Sequence, residues 1–228
     1  LSPISTLFST RRAFLSGASA AALASAFVLF HPFAAQAEKS GAPAEVPIED
    51  LLKPGDLPEL SQGPAEAKVV VVEYASMTCG HCANFHNTVF PEFKKKYIDT
   101  GKVRFIMREF PLDNLAAAAA MLARCAGEGK TYPLIETLFA TQRDWAFGKG
   151  DPVPRLFEIA KQAGFTQDSF DKCLTDQKLL DSVTATRTRA ADVFGVGSTP
   201  TFFINGKRLT TSPELAEFAK VIDPLLAS

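Results

Sequence analysis

Net charge is what this chain most plainly lacks. Its 228 residues carry 24 Lys and Arg against 25 Asp and Glu, with only three His. That balance removes the electrostatic case for a nucleic-acid partner, which needs a basic face to collect phosphates. The block Lys94, Lys95, Lys96 is read as a solvated helix face. No internal repeat and no Ser/His/Asp hydrolase pattern is present. A phosphate-cradling glycine loop is missing as well. Gly195 and Gly197 lie close together, but the segment leads into a strand instead of a helix N-terminus. Metal ligands are also scarce. Cys79, Cys82 and His86 are zinc-like types, yet no fourth ligand follows at a suitable spacing. No metal and no cofactor are therefore expected, and His86 is read as a packed or solvated helix histidine.

What is present is apolar bulk. The sequence is 46% hydrophobic and has 19 Phe, enough large side chains for the core of one or two domains. The first 37 residues look like a removable export signal. Arg11 and Arg12 precede an apolar, Ala-rich stretch from Ala13 to Phe30, and Ala35-Gln36-Ala37 offers a small-x-small cleavage site. The run from Ser9 to Leu15 resembles the twin-arginine type of signal, with a general secretory signal as the alternative. An uncleaved anchor fits less well, because the apolar stretch is barely long enough to span a membrane and Pro32 follows at once. Without the leader, 22 basic residues would face 25 acidic ones, and all four Cys would remain, in a compartment that tolerates disulfides.

The exported chain opens with residues 38–58, rich in Pro, Ala, Gly and acids, read as a flexible arm with a short edge strand near Leu57 to Ser61. Val69–Ala75 is β-branched and continuous, a buried strand. Residues 80–97 place Phe85, Val89, Phe93 and Tyr97 at spacings near four, a helix that Pro91 should kink. Val103–Glu109 is a second strand, so strand, helix and strand form a parallel crossover. Residues 113–194 turn helical, with Asp168 and Asp176 as candidate N-caps. Strands return at Thr201–Ile204 and Lys207–Leu209 around Asn205-Gly206, a two-residue hairpin signal. Pro213 is expected at the first position of a last helix.

The chemistry concentrates in Glu73 to Cys82. Cys79-Gly80-His81-Cys82 begins the helix that follows the first strand. A cysteine there meets unpaired N–H groups and the positive end of the helix dipole, which favour a thiolate. Disulfide exchange needs that thiolate.

Three motifs together resemble the thioredoxin superfamily, and more closely the DsbA-like disulfide oxidoreductases of the bacterial periplasm. They are Cys79-Gly80-His81-Cys82, the acid Glu73 six positions upstream, and Gly197-Ser198-Thr199-Pro200 entering a strand. The resemblance covers roughly residues 57–228. It implies an α/β, thioredoxin-like fold with a central mixed sheet. Residues 59–112 and 195–228 would be its two halves, and 113–194 an inserted helical domain.

It also implies roles. Cys79 is the exposed nucleophile, Gly80 allows close approach of another chain, and His81 donates a hydrogen bond or charge to the Cys79 sulfur. Cys82 is the buried resolving thiol. Glu73 lies behind it without a cationic partner and trades its proton. Thr199 and a cis Pro200 pair with an extended substrate peptide. Cys125 and Cys173 are read as a structural disulfide, with two free buried thiols or a redox-tuning bridge as alternatives. Trp145 could line the substrate surface but is read as ordinary packing. The implied function is a monomeric thiol oxidase that passes its Cys79–Cys82 disulfide to reduced exported proteins and is reoxidised by a membrane quinone-linked partner. A periplasmic isomerase or reductase is the alternative, since Gly-His also stands between the cysteines of eukaryotic protein disulfide isomerase and Thr precedes the proline in bacterial isomerases. A zinc-binding or holdase module on the same scaffold is a non-enzymatic alternative.

Overall fold

The computed structural model describes residues 42–228. The expected export signal lies outside these residues.

Five strands form one mixed sheet in the order β1-β3-β2-β4-β5. They are β1 Leu60–Gln62, β2 Val69–Ala75, β3 Val103–Glu109, β4 Thr201–Ile204 and β5 Lys207–Arg208. β2 and β3 run parallel, with Val69 opposite Val103 and Ala75 opposite Glu109. The other pairs are antiparallel. Every residue of β2 is buried, as its continuous apolar run predicts for a strand covered on both faces. Alternate side chains divide between two cores. Val69 and Val71 pack with Phe85, Phe93, Phe105 and Phe218 on one face. Val70, Val72 and Tyr74 pack with Leu51, Phe194 and Phe203 on the other.

The crossover helix α2, residues 80–98, continues past Pro91 as alternating α and π turns. Proline has no N–H, and in a regular helix its ring would strike the carbonyl of Asn87. The turn before it is widened instead, so that the Phe90 N–H bonds the carbonyl of Phe85, five residues back. Between β3 and β4 the chain forms six helices. These are α3 Asn114–Cys125, α4 Thr131–Ala140, α5 Gln142–Trp145, α6 Val153–Gln162, α7 Gln167–Leu174 and α8 Gln177–Phe194. Asp176 caps α8 as expected, accepting from the Leu179 N–H. Asp168 does not cap α7. Thr166 does, in a reciprocal capping box with Ser169. The last helix, α9, is Leu215–Ala227, so Pro213 precedes it instead of opening it.

The expected flexible arm is packed over much of the length described. Its short helix α1, Ile48–Leu52, buries Leu51 completely. Glu45 bridges Lys207 at the edge of β5, and the Val46 N–H donates to the Gly206 carbonyl. Gly206, at φ 88°, gives the hairpin its left-handed corner, and a Cβ there would come within 2.3 Å of the Val46 carbonyl oxygen. Four arginines fix the arm's backbone: Arg208 donates to Pro43, Arg108 to Leu51, Arg189 to Asp50 and Lys53, and Arg124 to Pro58. These partners are distant in sequence, so composition alone marks the segment as loose.

Candidate active site

β2 ends at Ala75, and three polar-flanked residues carry the chain to Cys79. Ser76 Oγ accepts from the N–H of Thr78 and of Leu112, and Thr78 Oγ1 donates to Asp113. The buried Gln142 side chain donates to the carbonyls of Met77 and Cys79, at 2.8 and 3.0 Å. The loop is therefore held from α5 as well as from its own strand. Nothing local in the sequence singles out Gln142.

Cys79 is the N-cap of α2, and its sulfur accepts from the Cys82 N–H at 3.3 Å. Both thiols are free, and the residues differ in access: Cys79 is 7% exposed and Cys82 0%. Cys79 is thus the more accessible of the two, but it is buried and not exposed as expected. Its thiol is lowered from an ordinary 9 to about 6. The Cys82 side chain contributes most, as a hydrogen-bond donor to the thiolate. Burial opposes the shift, and Thr199 and the N–H groups of Cys82 and His81 reinforce it. The Cys82 thiol is driven strongly upward, first by burial, then by its bond to Cys79 and the charge of Glu73.

His81 differs from expectation. It is exposed, and among the described residues its imidazole makes no hydrogen bond to the sulfur. Its backbone N–H is the part that lowers the thiol. Gly80 is exposed, and a Cβ placed there would have no atom of the described residues within 4 Å.

Glu73 is fully buried, and it has a cationic-type partner that the sequence reading denied it. Its Oε2 lies 2.8 Å from His86 Nε2, while Oε1 has no partner among the described residues. His86 stands four residues beyond Cys82, on the same helix face, and its ring stacks on Phe139 at 4.4 Å. The lone-histidine reading missed this, because the partner comes from β2 and the stacking ring from α4.

Thr199–Pro200 is a cis peptide, as the resemblance implied. The Thr199 carbonyl accepts from Cys79 Sγ at 3.2 Å, so the loop 120 residues away lies directly against the thiol. Beside it a cleft of about 360 Å³ is lined by His81, Asn84, Pro200 and Glu214 among others. Cys125 and Cys173 are joined by a disulfide between α3 and α7, which excludes two free thiols. Trp145 is buried and donates to the Leu138 carbonyl, so it packs the core and lines no surface.

A family model described as thioredoxin matches residues 56–224. Among solved structures, Wolbachia pipientis alpha-DsbA1 is 35% identical, with a TM-score of 0.71, covering 80% of this chain and 96% of that one. The chain belongs to the DsbA-like branch of the thioredoxin superfamily. BdbD of Bacillus subtilis shares the fold at 22% identity and a TM-score of 0.65, covering 75% of this chain and 94% of that one. A Rickettsia bellii chain provisionally named a protein-disulfide oxidoreductase is 38% identical over 147 residues, 63% of this chain and 56% of its own length. The chain thus spans little more than half of that relative. A thioredoxin-like, mixed five-stranded sheet with helices inserted between β3 and β4 is the fold expected of the DsbA-like branch.

Proposed function

We propose that this chain is a thiol oxidase that donates a Cys79–Cys82 disulfide to reduced proteins. One observation carries the reading: the two thiols of a single helical turn are pushed in opposite directions, Cys79 down to about 6 and Cys82 up. Cys79 is the nucleophile and leaving group that faces the substrate, and Cys82 is the resolving thiol. Glu73 handles the Cys82 proton. Thr199 and Pro200 receive the substrate backbone beside Cys79, and Gly80 leaves room for it. A peptide seated there extends the edge presented by the loop before β4. Cys125–Cys173 is structural.

Residues 1–37 favour export, by the twin-arginine or the general route. The proposed setting is the periplasm, with unfolded exported proteins as substrates and a membrane quinone-linked protein as reoxidant. No helix among the described residues is long and apolar enough to cross a membrane. The working division remains 59–112 and 195–228 around the insert 113–194, and the working state is a monomer.

Equilibration with glutathione tests the oxidase. A potential above thioredoxin's value of about −270 mV is expected, and one at or below that value points to a reductase. The second reading, an isomerase, is favoured by Thr199 before the proline. An isomerase reactivates scrambled ribonuclease faster than it oxidises the reduced form, and an oxidase does the reverse.

A further inference from the structure

We propose that Glu214 makes this chain select substrates that carry a lysine or arginine close to the reacting cysteine. The proposal rests on the disulfide-exchange reading above and adds to it the charge of the peptide that is exchanged. The cleft of about 360 Å³ beside Pro200 has Thr199 in its wall, and the Thr199 carbonyl lies 3.2 Å from Cys79 Sγ. A peptide bound through Cys79 therefore has this cleft next to it for a neighbouring side chain. Two ionisable side chains line the cleft, His81 from α2 and Glu214 from the start of α9, and the rest of the lining is uncharged.

The Glu214 side chain takes no part in holding the fold. It stands at the N-cap of α9 on extended backbone, φ −88° and ψ 148°, yet its side chain makes no capping bond. Ser, Thr, Asp or Asn at that position would reach the free N–H groups and serve the helix better. The residue is exposed, and among the described residues no basic side chain forms an ion pair with it. Lys220, the basic residue of α9, is held by Glu217 instead. The positive end of the α9 dipole makes the place favourable for a carboxylate without consuming its oxygens. The charge is thus left free to meet a guest in the cleft.

The sign of the selection follows from the sign of that charge. A substrate cation is attracted to the carboxylate across a short span, and an acidic neighbour is repelled. On the other flank of the same turn a second cleft of about 440 Å³, beside Gly80, carries Arg143 and Asp144 together. Their charges cancel, so that cleft gives a guest no preferred sign. The preference for a cation therefore comes from the cis-proline side. The contact is made as the peptide binds and persists through exchange, so it acts on binding and not on the chemical step.

The test uses the oxidised full chain and short cysteine peptides with Lys or Glu next to the cysteine or one position further. The rate at which each peptide opens the Cys79–Cys82 disulfide is divided by its rate with oxidised glutathione, which removes differences in intrinsic thiol reactivity. At low salt the corrected Lys-over-Glu ratio is expected to reach about fivefold, carried by the half-saturating peptide concentration and not by the maximal rate. Added salt should shrink it. Glu214→Gln is expected to bring the ratio below about twofold and Glu214→Lys to invert it, whereas Asp144→Asn leaves it as in the parent. A ratio near unity in the parent overturns the proposal. So does a ratio that survives Glu214→Gln, or one that vanishes in Asp144→Asn. The two failures are distinct: a disulfide that no peptide opens overturns the exchange reading and this proposal with it, whereas brisk exchange without charge preference overturns the proposal alone.

Discussion

Lowering the pH removes the Cys79 thiolate, and the effect can be worked through. The folded value is about 6 against an ordinary 9. A depressed acid stabilises the reduced fold fully above its unfolded value, and that stabilisation is lost as pH falls through the folded value. At about pH 7 the ionisation favours the reduced form roughly tenfold, about 1.4 kcal/mol. Solvent near the open side of the sulfur trims that to about 1 kcal/mol. For a two-electron couple this is about 20–30 mV of added oxidising power. At about pH 5 almost none remains. The potential itself should therefore bend. Below the Cys79 midpoint two protons accompany two electrons, and the slope is about 59 mV per pH unit; above it one proton does, and the slope halves to about 30 mV. Glutathione equilibria at a series of pH values measure the bend, and iodoacetamide alkylation gives the midpoint independently. A straight two-proton line up to about pH 8, or alkylation titrating near the free-thiol value of about 8.5, would refute the reasoning.

Replacing Cys125 and Cys173 together with Ser opens a loop with a sequence separation of 48. Denaturant unfolding should show a loss of about 4 kcal/mol in the chain-entropy picture, with the Cys79 alkylation midpoint unchanged. An unchanged midpoint of unfolding would deny the bridge a structural role. Leu51→Ala should cost about 2–5 kcal/mol, because Leu51 is wholly buried under the arm helix. A loss below about 0.5 kcal/mol would mean that the arm is undocked in solution. Gln142→Ala removes both hydrogen bonds to the Met77 and Cys79 carbonyls. The Cys79 carbonyl keeps the Ala83 N–H, so the Met77 carbonyl is the one that loses its donor, at a cost of about 1–3 kcal/mol, and exchange at Cys79 should slow. Normal exchange rates would show that the loop holds its shape without α5.

Local patterns carried the strands, the reactive turn and the hairpin into view. β2 was readable from four consecutive valines, and Asn205-Gly206 from its demand for positive φ, found at 46° and 88°. The site was legible where its chemistry is adjacent in sequence, in Cys79 to Cys82. Pro200 was legible only through the resemblance, since a strand-start proline looks the same. What escaped was long-range. His86 looked unremarkable because Glu73 and Phe139 reach it from other elements. The arm looked loose because its carbonyls are held by arginines 57 to 165 positions away. Asp168 lost to Thr166 at the start of α7 because a Thr-Ser reciprocal pair satisfies two backbone donors where the Asp could satisfy one.

The division of labour between the two sulfurs follows from a single turn of helix set on a strand end. Cys79 is placed before the first turn, where the N–H groups of Cys82 and His81 are free of helix carbonyls and serve its sulfur, so charge is welcome. Cys82 is one turn further in, behind the same N–H groups and beside the carboxylate of Glu73, so charge is refused. The two cannot ionise together. When Cys79 holds the negative charge, the Cys82 proton becomes its hydrogen-bond donor, and each group's shift is part of the other's cause. A buried carboxylate with one unpartnered oxygen is a poor choice for stability, costing about 1–3 kcal/mol for the unmade bond. An apolar residue at position 73 would fit the fully buried strand better. The proposed exchange of the Cys82 proton would give that free oxygen a use, since the charge of Glu73 is among the causes that raise the Cys82 thiol.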